Sequence, residues 1–376
     1  MEELVQLRRE LHQFPEVSHD EFSTAERIAT FLCKFNPDEL VKGIGGNGIM
    51  CVFKGKEEGP NVAIRAELDA LPIHEINDFE YHSIHKGVGH KCGHDGHMAI
   101  VAGLASLLSL DRPKKGNVIL LFQPAEETGD GALQMINDPK YLELMPDYIF
   151  ALHNLPGYPK GQIVTRESTF AAASKGLIIE LFGKTSHAAE PENGVSPSRA
   201  LAAIIDKLES LNNKSLKLSD FAITTVVHTL LGSESFGITP GYGKVLATIR
   251  AYNDNDLKAL EDEVRSFVAD CTSKYNLKFE IAETEVFAST INDAECYNVI
   301  ENAAGENGYE FKIAKEPFRW SEDFGEFTQR ISGAMFGLGS GEDTPDLHNP
   351  DYDFPDDIIP NGVNMFNSII NQLLNN

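Results

Sequence analysis

Long apolar runs are missing from this 376-residue chain. The longest stop well short of the roughly 20 residues a membrane-spanning helix needs. The opening stretch, MEELVQLRRELHQF, lacks the apolar core of a signal peptide. Positive charge is scarce too. Lys and Arg number 32 against 57 Asp and Glu, a formal net charge of −25. That excludes nucleic acid and anionic membrane as main partners, because both select basic surfaces. Cysteine is sparse and odd in number: Cys33, Cys51, Cys92, Cys271 and Cys296 lie far apart. No disulfide framework is expected, and a reduced, cytoplasmic setting is. No repeat or low-complexity segment interrupts the chain.

What is present is a core-forming composition. Hydrophobic residues make up 42% of the chain, enough for a substantial interior and against disorder. The length predicts two domains, or one domain with a large insertion.

Leu4, Leu7, Leu11 and Phe14 recur at helical spacing, predicting a helix over 2–13; a second follows at 20–34. Short apolar runs at 49–53, 62–65, 118–122 and 148–152 read as strands, with a long helix from Met98 to Leu110. Strands alternating with helices predict an α/β fold with a mostly parallel central sheet. Three runs end in reactive residues: 62–65 leads to Glu67 and Asp69, 118–122 to Glu126 and Glu127, and 148–152 to His153. Ligands in such sheets bind beyond the carboxyl ends of the strands.

From about 175 the order becomes β-α-β-β-α-β, the ferredoxin-like arrangement. The division expected is a catalytic domain from 1–174 and 288–376, interrupted by an α+β insert at 175–287.

Residues 89–99 read GHKCGHDGHMA, and four of the eleven are His or Cys. Cys92 and His94 are two apart, so in an extended loop they face the same way. Asp95 is placed to cap a helix opening at Met98. QPAEETG follows a strand with paired Glu126 and Glu127. ALHNLP puts His153 at another strand end, and DLHNP puts His348 near the C-terminus. Each alone reads more simply as a structural or solvated residue. Together, Cys92, His94, Glu127, His153 and His348 make a five-ligand set of the kind a divalent metal pair needs.

RAELDALP, GHKCGHDGHMA, QPAEETG, ALHNLP, GKTSHAAEP, SEDFGEF and LHNP occur in that order. The ordered set resembles the amidohydrolase branch of the co-catalytic metallopeptidase superfamily, the branch of hippuricase and N-acetyldiaminopimelate deacetylase. The resemblance implies a catalytic α/β domain with an inserted lid or dimerisation domain. It implies two divalent ions, Zn, Mn, Co or Ni, on Cys92, His94, Glu127, His153 and His348. It makes Glu126 the general base and Asp69 the aspartate that orients a ligand histidine. His187 becomes the lid histidine that meets the scissile carbonyl, and Arg250 a clamp for a substrate carboxylate. A homodimer through the insert is part of the same expectation.

The implied substrate is a small N-acyl, chiefly N-acetyl, L-amino acid, cleaved at its amide bond. A dipeptidase or carboxypeptidase of the same superfamily is the rival, and a non-catalytic metal-binding relative the more distant one. The chain departs from the pattern twice. Glu67 stands where an Asp is usual, and Gly237 stands where a lid asparagine is usual. His90 and His97 flank the ligands, while His12, His19, His74, His82, His85 and His228 read as core or solvated histidines.

Overall fold

A computed structural model describes residues 1–375. Its contacts divide the chain into two compact units. The first comprises Met1–Phe170, Thr290–Pro317 and Glu322–Asn376; the second comprises Ala171–Ser289 with Phe318–Ser321.

The first unit opens with α1 (Glu2–Gln13) and α2 (Phe22–Cys33). Strands β1 (Glu39–Ile44), β2 (Gly48–Lys54) and β3 (Glu57–Glu67) follow, then α3 (His94–Leu110) and β4 (Lys115–Gln123). Short helices α4 (Gly131–Ile136) and α5 (Pro139–Glu143) lead to β5 (Tyr148–Pro156), β6 (Ile163–Thr165) and β7 (Ser168–Ala171). After the second unit come β12 (Thr290–Asn292), α9 (Ala294–Glu306), β13 (Phe311–Ile313), α10 (Gly325–Thr328), β14 (Ser332–Gly341) and α11 (Ile359–Leu374). Eight strands form one sheet in the order β1-β2-β4-β3-β5-β14-β6-β13. Its centre, β4-β3-β5-β14, is parallel throughout. The β1–β2, β2–β4 and β6–β14 pairs are antiparallel.

The centre of the sheet reads as continuous apolar sequence because both its faces are covered. Residues 118–122 of β4 and 149–152 of β5 are all buried. Helix α3 is buried almost all round, from His94 through Ala105. It packs against α1 and α11, whose apolar stripes carry Leu4, Leu7 and Leu11 and Val363, Phe366, Ile369 and Ile370. A Cβ on Gly103 would lie 2.7 Å from Leu4 and 3.0 Å from Val363, so a small residue there permits this close approach.

Chain order sets the crevice. From β3 the chain crosses through α3 to β4 on one side, then returns past β3 to β5 on the other. The direction of winding reverses at β3, and the carboxyl ends of β3, β4 and β5 open on the gap that this leaves.

The second unit contains β8 (Ala173–Phe182), α6 (Ser198–Ser210), the short α7 (Asn213–Leu216), β9 (Ala222–Leu231), β10 (Tyr242–Ala251), α8 (Asp254–Lys274) and β11 (Lys278–Phe287). Its antiparallel sheet runs β11-β8-β10-β9. Strand β10 alternates strictly, burying Val245, Ala247, Ile249 and Ala251, the period-two pattern of a sheet covered on one face. Leu201, Ile204 and Leu208 of α6 and Leu260, Val264 and Val268 of α8 complete that core. Phe318–Ser321 joins this unit through Ala172, whose N–H is shared between the carbonyls of Phe318 (3.0 Å) and Trp320 (3.1 Å).

Among the described residues no helix is long and apolar enough to cross a membrane.

Candidate metal centre

The ligand loop ends differently from its expected form. Helix α3 begins at His94 rather than Met98, so His94, Asp95 and His97 are helical. The cap is Gly93, at φ 94°, a left-handed conformation that suits glycine. A Cβ on Gly93 would also lie 2.4 Å from Asn154 Oδ1. Asp95 is therefore not the cap. Its carboxylate accepts a hydrogen bond from His12 Nδ1 at 2.8 Å and faces Arg8 at 3.5 Å. Within one helical turn, His94 and His97 both reach the carboxyl ends of the parallel strands.

Cys92, His94, Glu126, Glu127, His153 and His348 meet in the first unit. Among the described residues, five triads have ligand atoms within 4.8 Å of one another: Cys92–His94–His153, Cys92–Glu127–His348, His94–Glu126–Glu127, Glu67–His94–His97 and Glu126–Glu322–Asp323; the first two join all five expected ligands. Cys92 belongs to both. Its Sγ lies 3.4 Å from His153 Nε2. His94 Nε2 lies 3.7 Å from Glu126 Oε2 and 3.9 Å from Glu127 Oε1, and Glu127 Oε1 is also 3.9 Å from His348 Nε2.

Two of the three histidines are oriented from behind. His94 Nδ1 donates to the Asp69 carbonyl at 2.9 Å, and His153 Nδ1 donates to the Asn154 carbonyl at 2.9 Å. In a neutral ring each bond leaves the lone pair on Nε2, the tautomer a metal-ligating imidazole requires, and that of His153 faces Cys92 Sγ. His94 Nε2 and Glu127 Oε1 are buried and have no hydrogen-bond partner among the described residues. Buried polar atoms are nearly always satisfied, and a cation is a partner that would satisfy both. Asp69 braces the opposite side. Its Oδ2 accepts from Ser18 Oγ at 2.7 Å and from the Glu127 N–H at 3.0 Å.

The electrostatics agree. Burial, with the charges of Glu322 and Glu127, pushes the Glu126 carboxyl well above the usual range. Glu127 is pushed up to about 7, chiefly by burial. Burial and the carboxylates of Glu127 and Glu126 raise the Cys92 thiol. Burial and nearby imidazoles lower His153 to about 3. Beneath them Asp69 is lowered and His94 raised to about 10, so these two hold each other charged, but Glu126, Glu127 and Cys92 lack enough positive charge to be ionised together, a deficit that a divalent cation would remove.

Sequence reasoning missed the scaffold beneath these groups. Arg65 is fully buried. Its Nε donates to Gln123 Oε1 at 2.9 Å, and its Nη2 to Glu322 Oε1 and Asp323 Oδ1, both at 2.7 Å. Its Nη1 donates to Glu67. The other oxygen of Glu67 faces His97 Nδ1 at 2.7 Å. His97 Nε2 lies 2.5 Å from Asn154 Oδ1, and Asn154 Nδ2 donates to the Tyr352 hydroxyl at 2.6 Å. The longer side chain at Glu67 thus spans from Arg65 to His97. Glu21 supports the glutamate pair. Its Oε1 accepts from the N–H of Ala125 at 2.8 Å, and Ala125 stands at φ 51° just before Glu126. SEDFGEF was a visible signal for Glu322 and Asp323, and ALHNLP contained Asn154; nothing local signals Glu21.

His187 and Arg250 lie in the second unit. His187 Nδ1 accepts the N–H of Ala189 at 3.1 Å, which places the proton of a neutral ring on Nε2. Arg250 Nη1 donates to Ser321 Oγ at 2.9 Å and the Arg319 carbonyl at 3.2 Å, and makes no ion pair among the described residues. Burial lowers the guanidinium from its usual range.

The family model described as peptidase family M20/M25/M40 matches residues 63–372. The chain belongs to this family. As an M20-family member it is a metal-dependent amidohydrolase. It is 29% identical to an N-acetyldiaminopimelate deacetylase of Exiguobacterium sibiricum, over 97% of this chain and 98% of that one. It is 29% identical to an N-acetylcysteine deacetylase of Bacillus subtilis, over 95% of this chain and 93% of that one. The crystal structure of the Bacillus subtilis YxeP protein, described as a dinuclear metal-binding peptidase of the M20 family, superposes on this M20 chain with a TM-score of 0.84. Sequence identity there is 28%, over 100% of this chain and 98% of that one.

Proposed function

We propose that this chain hydrolyses the amide bond of small N-acyl L-amino acids, N-acetyl ones foremost, with Glu126 as general base beside two divalent cations. The observation that carries the reading is the pair of triads sharing Cys92, with Glu126 3.7 Å from His94 and the orphaned Nε2 of His94 and Oε1 of Glu127 turned inward. Cys92, His94 and His153 would hold one ion; Cys92, Glu127 and His348 would hold the other. A thiolate among the donors disfavours Mg and Ca, and the mixed set of thiolate, imidazole and carboxylate would fit Zn, Mn, Co or Ni. Such ions, when bound, polarise the carbonyl and acidify a water.

The chain's own groups do the rest. Glu126 takes the water proton and returns it to the leaving amine. Asp69 keeps His94 oriented and the Glu127 backbone in place. The Nε2–H of His187 is a donor for the oxygen that becomes negative in the tetrahedral intermediate. Arg250, which makes no ion pair among the described residues, is a bidentate clamp for the substrate carboxylate. The inserted unit is then lid and dimer interface in one. The substrate class is supported by the deacetylase relatives.

The test is turnover of a panel of N-acyl amino acids and free dipeptides by metal-reconstituted protein. Cleavage of N-acyl amino acids, with kcat lowered on the order of 10²–10⁴-fold in Glu126→Gln, is expected. Glu126→Gln turning over at the wild-type rate would remove the base assignment. Turnover of dipeptides alone would move the chain to the dipeptidase reading.

A further inference from the structure

We propose that Lys91, which contributes no ligand, is a positioning residue for His348 and thereby sets the affinity of the Cys92–Glu127–His348 position. The inference rests on the two-cation reading above.

Lys91 precedes Cys92 and is fully buried. Burying a lysine is costly unless its ammonium is paired and hydrogen-bonded. Here Nζ donates to Glu75 Oε1 at 2.5 Å and to the Tyr352 carbonyl at 2.8 Å. The backbone carbonyl of the same residue accepts the N–H of His348 at 2.7 Å. Lys91 therefore grips the 348–352 segment twice, once through its main chain and once through its side chain. Glu75 is itself fixed. It accepts from His12 Nε2 at 2.9 Å, Asn77 Nδ2 at 3.1 Å and the Ser83 N–H at 2.6 Å.

His348 needs such a grip. Its side chain is 53% exposed, and its backbone sits at φ 66°, a strained value for a residue with a Cβ. His94 and His153 are oriented by their own Nδ1 hydrogen bonds, whereas the His348 ring makes no hydrogen bond among the described residues. Its direction is inherited from the backbone that Lys91 holds. The sign of the effect separates positioning from charge. An ammonium beside two dications repels them, so a purely electrostatic Lys91 would weaken metal binding and its removal would tighten it. Positioning predicts the reverse.

The full-length apo protein, prepared by chelation, is titrated with Co²⁺ and followed by visible absorption and calorimetry. Wild type takes up two ions per chain. Lys91→Met retains one at wild-type affinity and binds the second on the order of 10–100-fold more weakly, as for other residues that orient ligands. Turnover of the variant at low Co²⁺ falls and returns as Co²⁺ is raised. Because Lys91→Met strands the Glu75 carboxylate, the double variant Lys91→Met/Glu75→Gln is titrated as well. It removes both charges of the pair and shows the same selective loss. Two ions bound with wild-type affinities, tighter binding, or equal weakening of both positions in a folded variant overturns the inference. A wild type that binds fewer than two ions instead overturns the two-cation reading, and this inference with it.

Discussion

The first unit buries charge, and the second keeps it at the surface. Arg8, Arg65, Glu67, Asp69, Lys91, Asp95, Glu322 and Asp323 are each 1% exposed or less in the first unit. Among the described buried residues of the second unit, Glu261 is the one charged side chain, at 9%, and it is paired with Lys175 and Arg265 at the rim of the core. The second unit reads as a packing problem solved by alternation: apolar residues inward, ions outward. The first accepts the desolvation penalty of ion after ion beneath one sheet edge. Buried ionic networks contribute little net stability, so their concentration there marks where the molecule holds chemistry in register.

Breaking this contrast starts at Arg65, the cation that faces Glu67, Glu322 and Asp323. Arg65→Met leaves three buried carboxylates without their partner and is expected to cost about 3–5 kcal/mol, the usual result of removing one side of a buried pair. Denaturant unfolding of wild type and variant measures it; a loss under 1 kcal/mol would make the network an ornament of the fold.

The His12 group sharpens the comparison through pH. Burial disfavours its charge, yet Asp95 and Glu75 outweigh burial and raise the ring from 6.5 to about 9. Burial likewise opposes ionisation of Glu75, but His12 and Lys91 lower it from 4.5 to about 2. The raised His12 contributes stability that is complete below 6.5 and lost as pH rises through about 9. The lowered Glu75 contributes stability that is complete above 4.5 and lost as pH falls through about 2. Unfolding free energy should therefore decline from pH 6.5 to 9, and His12→Asn should flatten that decline. An unchanged slope in the variant would place the alkaline sensitivity elsewhere.

The smallest effect belongs to the second unit. Lys175 bonds Glu261 and Glu283 at 2.8 Å each on a partly exposed rim. Lys175→Met is expected to cost under about 1 kcal/mol, as rim pairs usually do. A loss comparable to that of Arg65→Met, by the same denaturant measurement, would erase the contrast between the units.

The helices over 2–13 and 20–34 were legible because their burial is periodic, and the central strands because they are short, apolar and bounded by turn residues. The β-α-β-β-α-β order of the second unit was legible for the same reason. The start of α3 was not. A glycine in a left-handed conformation caps the helix, and a histidine that looked like loop begins it. The assignment of Asp95 as a cap failed because His12 and Arg8, more than 80 residues away in sequence, claim its carboxylate.

The chain's order of residues determined by itself which segments become strands and helices, and which chemically capable side chains stand at their ends, since periodicity and residue type act locally. Folding decided how those ends are held. The Glu67–His97–Asn154–Tyr352 chain, the grip of Glu21 on Ala125 and that of Lys91 on the His348 segment all join residues distant in sequence. Hydrogen bonds between such residues leave no periodic trace; they exist only where the crevice at β3 brings their segments together and excludes the water that would otherwise compete.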